Sequence, residues 1–248
     1  TPLPATPPPP PPPPPNACIK LVAPAADFAS CLYLRNADLR NSSLAKAKLD
    51  NTDLYGATLD GADLTEATFH GSDLTSASLD HAKLARADFV DASLIDASLR
   101  LADLRRSTMT MVDLRRSNLS GASLRGMVTY RTNWGRCVLR GADLEESVLR
   151  DFSGAGADVQ DSNLRWSKMS FAWLVGASAR NVDFSHADMQ GANLSGADLQ
   201  RARFSGSDLK WAILAGASVD GADFTGAQHL ELSQLRSTTG KAIGLPVT

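Results

Sequence analysis

Large apolar residues recur every five positions along most of this chain. Stepping by five from Leu34 to Phe224 visits 39 positions, of which 37 are Leu, Phe, Met, Val, Trp or Ala; the exceptions are Thr129 and Gly154. Two residues before each lies a second series, Leu32 to Ala222, in which all but Leu32, Met127 and Phe152 are Ala, Ser, Thr, Cys or Val. No insertion breaks the register, so internal repetition is the dominant signal. A period of five suits neither standard element. At about 100° per residue a helix smears such positions around its circumference, and in a straight strand an odd period sends successive large residues to opposite faces. The chain must therefore turn a corner every five residues. Three residues form a short extended side whose outer two point inward while the middle one faces solvent, and two residues make the corner. Glycine agrees: 14 of 18, among them Gly56, Gly61, Gly71, Gly121, Gly141, Gly191 and Gly221, fall two residues after a large position, where a turn gains from free φ.

Four sides close a 20-residue square coil, and stacking coils pairs their backbones at about 4.8 Å. The span predicts nearly ten coils in a stack about 47 Å long, with Phe69 directly beneath Phe89. Where the small position becomes large, at Met127 and Phe152, the paired large position shrinks to Thr129 and Gly154, which conserves interior volume.

Stretches such as Gly61-Ala62-Asp63-Leu64-Thr65 and Gly191-Ala192-Asn193-Leu194-Ser195-Gly196-Ala197-Asp198-Leu199 resemble the pentapeptide-repeat family, over about three quarters of the chain. The resemblance implies an all-β fold, a right-handed quadrilateral parallel β-helix, here a solenoid of about ten 20-residue coils with a short C-terminal helix cap. Its functional implication is broad, since the family includes DNA-mimicking proteins that protect or inhibit DNA gyrase and secreted effectors.

Proline marks one boundary, with 11 of 13 prolines in the first 15 residues and an unbroken run from Pro7 to Pro15. Such a run favours a polyproline II rod of about 28 Å with no apolar surface to bury. It reads as a spacer, or as a docking peptide for an aromatic-lined groove. The chain opens on Thr1, which suggests a processed chain or a fragment of a larger protein. The expected organisation is a proline-rich linker at 1–15, an N-terminal cap at 16–31 with Ile19, Leu21, Val22 and Phe28, the β-helix at 32–228, and a C-terminal cap and tail at 229–248. In the last segment Leu230, Leu232 and Leu235, ahead of Gly240, predict a helix within 229–239, as a cap or, by the resemblance, a homodimer contact. Cys18 and Cys31 fall in the N-terminal cap and Cys137 at a small core position. A Cys18–Cys31 disulfide would indicate an oxidising compartment; free buried thiols are the alternative.

Composition narrows the chemistry. The net charge is −2, aromatic residues make up 6%, and no apolar run reaches the length of a membrane span. The reading is a soluble protein, cytoplasmic or secreted. His70, His81, His186 and His229 are scattered, the recurrent aspartates directly precede large core residues, and no phosphate loop occurs, so neither cofactor nor metal nor enzymatic activity is expected. The surface is more informative. Residues 50–99 hold ten acids and two bases, whereas 100–150 hold ten arginines and five acids. Arg100, Arg105, Arg106, Arg115, Arg116, Arg125, Arg131, Arg136, Arg140 and Arg150 form a basic girdle at outward positions, suited to an acidic partner or to pairing with neighbouring aspartates. Trp166, Phe171, Trp173, Trp211 and Ile213 also stand outward, a candidate surface for a protein partner or a second copy. The expected function is a non-enzymatic interaction or scaffold module without direct nucleic-acid binding. A secreted or effector-associated accessory domain is one alternative. Gyrase-directed DNA mimicry is another, disfavoured by the near-neutral charge and the arginine-rich middle.

Overall fold

The computed structural model describes residues 22–29 and 31–245; the proline run, Cys18, Ile19 and Leu21 lie outside them. Backbone pairing is parallel throughout and almost always 20 residues apart, from Tyr33↔Asp53 to Asp208↔Gln228. The chain is a right-handed quadrilateral β-helix. Each five-residue unit places its backbone N–H groups in one recurring way. In the unit around Leu54, the Leu54 N–H donates to the Asp73 carbonyl and the Gly56 N–H to the Thr75 carbonyl, while the Asp53 N–H donates back to Leu32. The Ala57 N–H closes the corner onto Leu54. One N–H remains, that of Tyr55, and the Asp53 carboxylate accepts it at 3.1 Å. A buried or half-buried donor must find a partner, and an Asx turn supplies it. This is why Asp or Asn recurs just before the large residue: Asp63, Asp73, Asp103, Asn118, Asn133 and Asn193 make the same bond.

The interior is a set of ladders. Phe69 lies on Phe89 with ring centroids 4.7 Å apart, and Phe184, Phe204 and Phe224 form a continuous stack. Serine replaces alanine at small inward positions without an unpaired hydroxyl where it back-bonds to the preceding large residue, as Ser72 does to Phe69 O and Ser207 to Phe204 O. At the irregular coils the Phe152 ring fills the space over Gly154, and Trp134 meets Phe152 edge-on at 5.8 Å. On the side that runs through Met109, Thr129 and Leu149 the outward residues are Thr108, Thr110, Val128, Tyr130, Val148 and Arg150, all but the arginine β-branched or aromatic, which favours extended backbone. Three short parallel strands form: β1 (Thr108–Thr110), β2 (Val128–Tyr130) and β3 (Val148–Arg150).

The ends depart from the repeat while still pairing with it. Phe28 is fully buried, Val22 packs against the core, and Asp27 pairs with Lys48 at a separation of 21 residues. Cys31 is disulfide-bonded, whereas Cys137 is a free buried thiol. At the C-terminus the helix expected within 229–239 is a single 3₁₀ turn, Leu232–Leu235. A longer helix is precluded because the chain must return to the last coil, where Thr239 pairs with Ser218 and Ile243 with Asp223.

Candidate interaction surfaces

Every corner has the same backbone logic. Its second residue takes a positive φ, between 51° and 61° at the non-glycine corners of the repeat region and near 65° at most of its glycines. For a bulky side chain this left-handed conformation costs about 1–2 kcal/mol, so glycine and asparagine are the inexpensive occupants. Trp166, Phe171 and Trp211 nevertheless stand there with φ of 59°, 59° and 60°. Their side chains face solvent: Phe171 is 62% and Trp211 66% exposed. The core gains nothing from them.

Phe171 and Trp211 share one corner edge two coils apart, separated by Gly191. The Phe171 ring lies where a β-carbon on Gly191 would stand, within 2.7 Å of that position, so only glycine at 191 leaves room for it. On the adjoining side Trp173 pairs with Asn193 and Asn193 with Ile213. Asn193 Oδ1 accepts from both the N–H and the hydroxyl of Ser195, which leaves its amide Nδ2 without a partner among the described residues. Lys210 Nζ sits 4.3 Å from the Trp211 ring centre. Two hollows open along this corner. One, about 390 Å³, lies between Asp151–Ser153 and Phe171 and Trp173; the other, about 520 Å³, lies beside Trp211 and against His229, Leu230 and Gln234. The C-terminal segment thus borders Trp211 without covering it. Trp166 stands apart on the neighbouring corner, stacked on His186 at 4.1 Å.

The arginine girdle encircles all four corners. Arg105 pairs with Asp103, Arg115 with Asp113, Arg116 with Asp96, Arg125 with Glu145 and Glu146, and Arg140 with Asp158. The hydrogen bonds from Arg105 and Arg116 hold Asp103 and Asp96 below the usual carboxylate range. Arg131 lies over the Tyr130 ring. The guanidinium groups of Arg100, Arg106, Arg136 and Arg150 have no carboxylate partner among the described residues, although the Arg100 backbone N–H donates to Asp80. Half of the girdle is thus neutralised locally, and exposed pairs of this kind contribute little to stability. One groove of about 490 Å³ gathers Arg86, Arg105, Arg106 and Arg125 between Glu66 and Glu146, which is a mixed rather than a cationic lining.

Of the C-terminal leucines, Leu230 is buried, Leu235 packs partly against the core and Leu232 is exposed. The residue that closes this end is one the sequence did not single out. Gln234 Nε2 donates to the Leu209 and Ala212 carbonyls, and its Oε1 accepts the Glu231 N–H. In a regular coil the Ala212 carbonyl would receive a backbone N–H from 21 residues ahead, as Ala192 does from Ile213. The side chain of Gln234 replaces that donor.

Among the described residues no group of three or more His, Cys, Asp or Glu side chains is arranged to hold a metal, and no helix is long and apolar enough to cross a membrane. No curated protein sequence matches the chain. Its fold is similar to that of HetL, a pentapeptide repeat protein involved in heterocyst differentiation regulation from the cyanobacterium Nostoc sp. strain PCC 7120. The two are 31% identical, with a TM-score of 0.59 over 81% of this chain and 91% of that one. A weaker likeness links it to the plasmid-mediated fluoroquinolone resistance protein QnrB1, at 18% identity, TM-score 0.36, and coverage of 75% and 86%. The sequence profile described as pentapeptide repeats matches residues 33–71, 72–110, 97–128, 132–170, 162–201, 192–228 and 202–236. The chain therefore belongs to the pentapeptide-repeat family.

Proposed function

We propose that this protein is a non-enzymatic interaction module, a rigid rod that presents an aromatic corner to a protein partner. The observation that supports it most directly is the exposure of Phe171 and Trp211 at corner positions with positive φ. The positive φ is shared by every corner of the repeat, so what sets these two positions apart is the large apolar side chain left in solvent, which the core does not use. Aromatic side chains also dominate the binding energy of protein interfaces. The test is capture of partners by the full chain and by a Trp166→Ser/Phe171→Ser/Trp173→Ser/Trp211→Ser variant whose circular dichroism matches the wild type. A protein retained by the first and lost by the second is the expected result. Equal retention by both would remove the aromatic corner from the function, and substrate turnover by the isolated chain would overturn the non-enzymatic reading.

A further inference from the structure

Charge along the rod is arranged about a midpoint. Residues 50–99 carry ten acids and two bases, and residues 100–150 carry ten arginines and five acids. Two such rods laid antiparallel set acid against base twice over, and a net charge of −2 raises little repulsion between copies. A pair of this kind is isologous: a two-fold axis lies between the rods near the boundary of the two halves, and every contact occurs twice.

One edge of the square has this symmetry in its side chains. It is the edge that carries Phe171 and Trp211 further along, and its second corner residues run Asn51, Gly71, Asp91, Met111, Arg131 and Asp151, one coil or about 4.8 Å apart. Met111 is 50% exposed. One coil below it Asp91 is exposed, and its carboxylate has neither a hydrogen bond nor a cation among the described residues. One coil above it the Arg131 guanidinium lies over the Tyr130 ring and has no carboxylate among the described residues. Nowhere else along the four edges, among the described residues, do an unpartnered carboxylate and a guanidinium without one stand equally far on either side of an exposed apolar residue. We infer that two copies of this chain pair antiparallel along this edge, with the two-fold axis at the level of Met111.

In that arrangement Asp91 of each copy comes opposite Arg131 of the other, Met111 meets Met111, and the exposed Tyr130 meets the half-buried Val90. Two coils out, Arg150 comes opposite His70, which has Asp88 at 3.0 Å and Asp50 at 3.8 Å beside it. Asp113, round the corner at the level of the axis, is already held by Arg115. The charges also fix the register. A slip of one coil in one direction sets Asp91 against Asp151, and in the other it leaves Arg131 against Gly71. Phe171, three coils above the axis, comes opposite Asn51. Trp211, five coils above it, projects past the other copy's Tyr33, four coils below. The pair thus holds its two Trp211 side chains at opposite ends, about 48 Å apart along the rods. The pairing does not rest on Phe171 or Trp211 binding anything.

Sedimentation equilibrium of the full chain in about 50 mM salt should show a monomer–dimer equilibrium that weakens as salt is raised. Asp91→Arg or Arg131→Asp alone should weaken it at least about tenfold, because each sets like charges opposite one another twice. An equimolar mixture of these two variants should associate about as well as the wild type, since a cation then faces a carboxylate at both levels; damage to the fold would not be repaired by mixing. Met111→Cys should cross-link two copies on mild oxidation, whereas Leu101→Cys, 54% exposed on another edge, should not; Cys137 is buried and Cys31 is already disulfide-bonded. A monomeric wild type, association unchanged by both charge substitutions, a mixture no stronger than its components, or equal cross-linking at the two introduced thiols would each overturn the proposal. None of these variants alters Phe171, Trp173 or Trp211, so failure of the pairing leaves the aromatic surface standing, and failure of partner capture leaves the pairing standing.

Discussion

The exchange of volumes at Phe152 and Gly154 makes a quantitative prediction. Most sides carry a small residue followed two positions later by a large one, as in Ala172 and Leu174 or Ala192 and Leu194. At 152–154 the order is reversed. The Phe152 ring is almost fully buried, and its Cε2 stands 2.8 Å from where a β-carbon on Gly154 would lie, with Leu174 Cδ2 at 3.1 Å. Gly154 is outside the left-handed region, so its backbone accepts a side chain and only the space forbids one. Phe152→Ala should cost about 3–5 kcal/mol, including the edge-on contact with Trp134, itself about 0.5–1.5 kcal/mol. Gly154→Leu alone should cost about 1–3 kcal/mol by overpacking. Independent effects would sum to about 4–8 kcal/mol. In the double variant the leucine enters the volume vacated by the ring and restores the ordinary side, so the net loss should fall below about 2 kcal/mol, a coupling of at least about 2 kcal/mol. Urea unfolding followed by far-ultraviolet circular dichroism measures all four chains, provided the slope is constant across them. A double variant that loses the sum of the single losses, within about 0.5 kcal/mol, would refute the view that the reversal is a volume exchange.

Other outcomes follow from single groups. Gln234→Ala leaves the Ala212 carbonyl without a donor and the Glu231 N–H without its acceptor, while the Leu209 carbonyl keeps the Ala212 N–H, and should cost about 1–2 kcal/mol; because solenoid coils couple chiefly to their neighbours, amide exchange should quicken over the last coils and stay unchanged near Leu64, and uniform acceleration would count against the cap. Burial pushes the Cys137 thiol up to about 12; since this lies above its value in the unfolded chain, the associated stability is intact below about pH 8.5 and is lost as pH rises towards 12. Wild type should therefore lose more stability than Cys137→Ala between pH 8 and pH 11, and equal losses in denaturant titrations would contradict this. The hydrogen bonds from Thr225 hold the Asp223 carboxyl below its usual range, so its contribution is present above the unfolded pKa and lost as pH falls. Asn makes the same turn bond at Asn193 and Asn118, so Asp223→Asn should leave neutral-pH stability nearly unchanged and flatten the acid limb of the unfolding profile; a large loss at pH 7 would show that charge, not the turn bond, matters.

The five-residue period made the architecture legible because one rule governs every side: alternate residues point inward, and a coil closes after four corners. The same arithmetic places Phe171 and Trp211 on one edge, whereas Trp166, grouped with them as an outward aromatic, stands in the structure on the neighbouring corner and stacks on His186. Pairing of the girdle was partly readable. Arg105 and Arg115 reach the aspartate two residues earlier, whereas Arg116 and Arg140 find partners 20 and 18 residues away, positions that only the coil register connects. What remained hidden lies where repetition stops. Gln234 has no counterpart in the repeat, because its role is to replace a coil that is not there. The free amide of Asn193 was hidden for the opposite reason: Asn at that position is ordinary, and Asn118 makes the same two bonds, so only the neighbours Trp173 and Ile213 set Asn193 apart.

The separation of inward and outward positions bears on how such a rod carries specificity. Ladders of Leu, Phe and Ala fix the fold, and nearly every N–H of a unit is committed to the next coil, the previous coil or an Asx turn. Corner side chains are released from these duties, so any residue that tolerates positive φ serves the fold there, and glycine serves it at least cost. A tryptophan or phenylalanine in that place works against folding by the backbone term alone. The functional information of this chain is thus concentrated where the sequence departs from the cheapest repeat, and the rod converts each departure into a position on a scale of about 4.8 Å per coil. Two departures on one edge, two coils apart, thus define a fixed distance of about 9.6 Å along the rod, set by the backbone and not by the side chains that stand there.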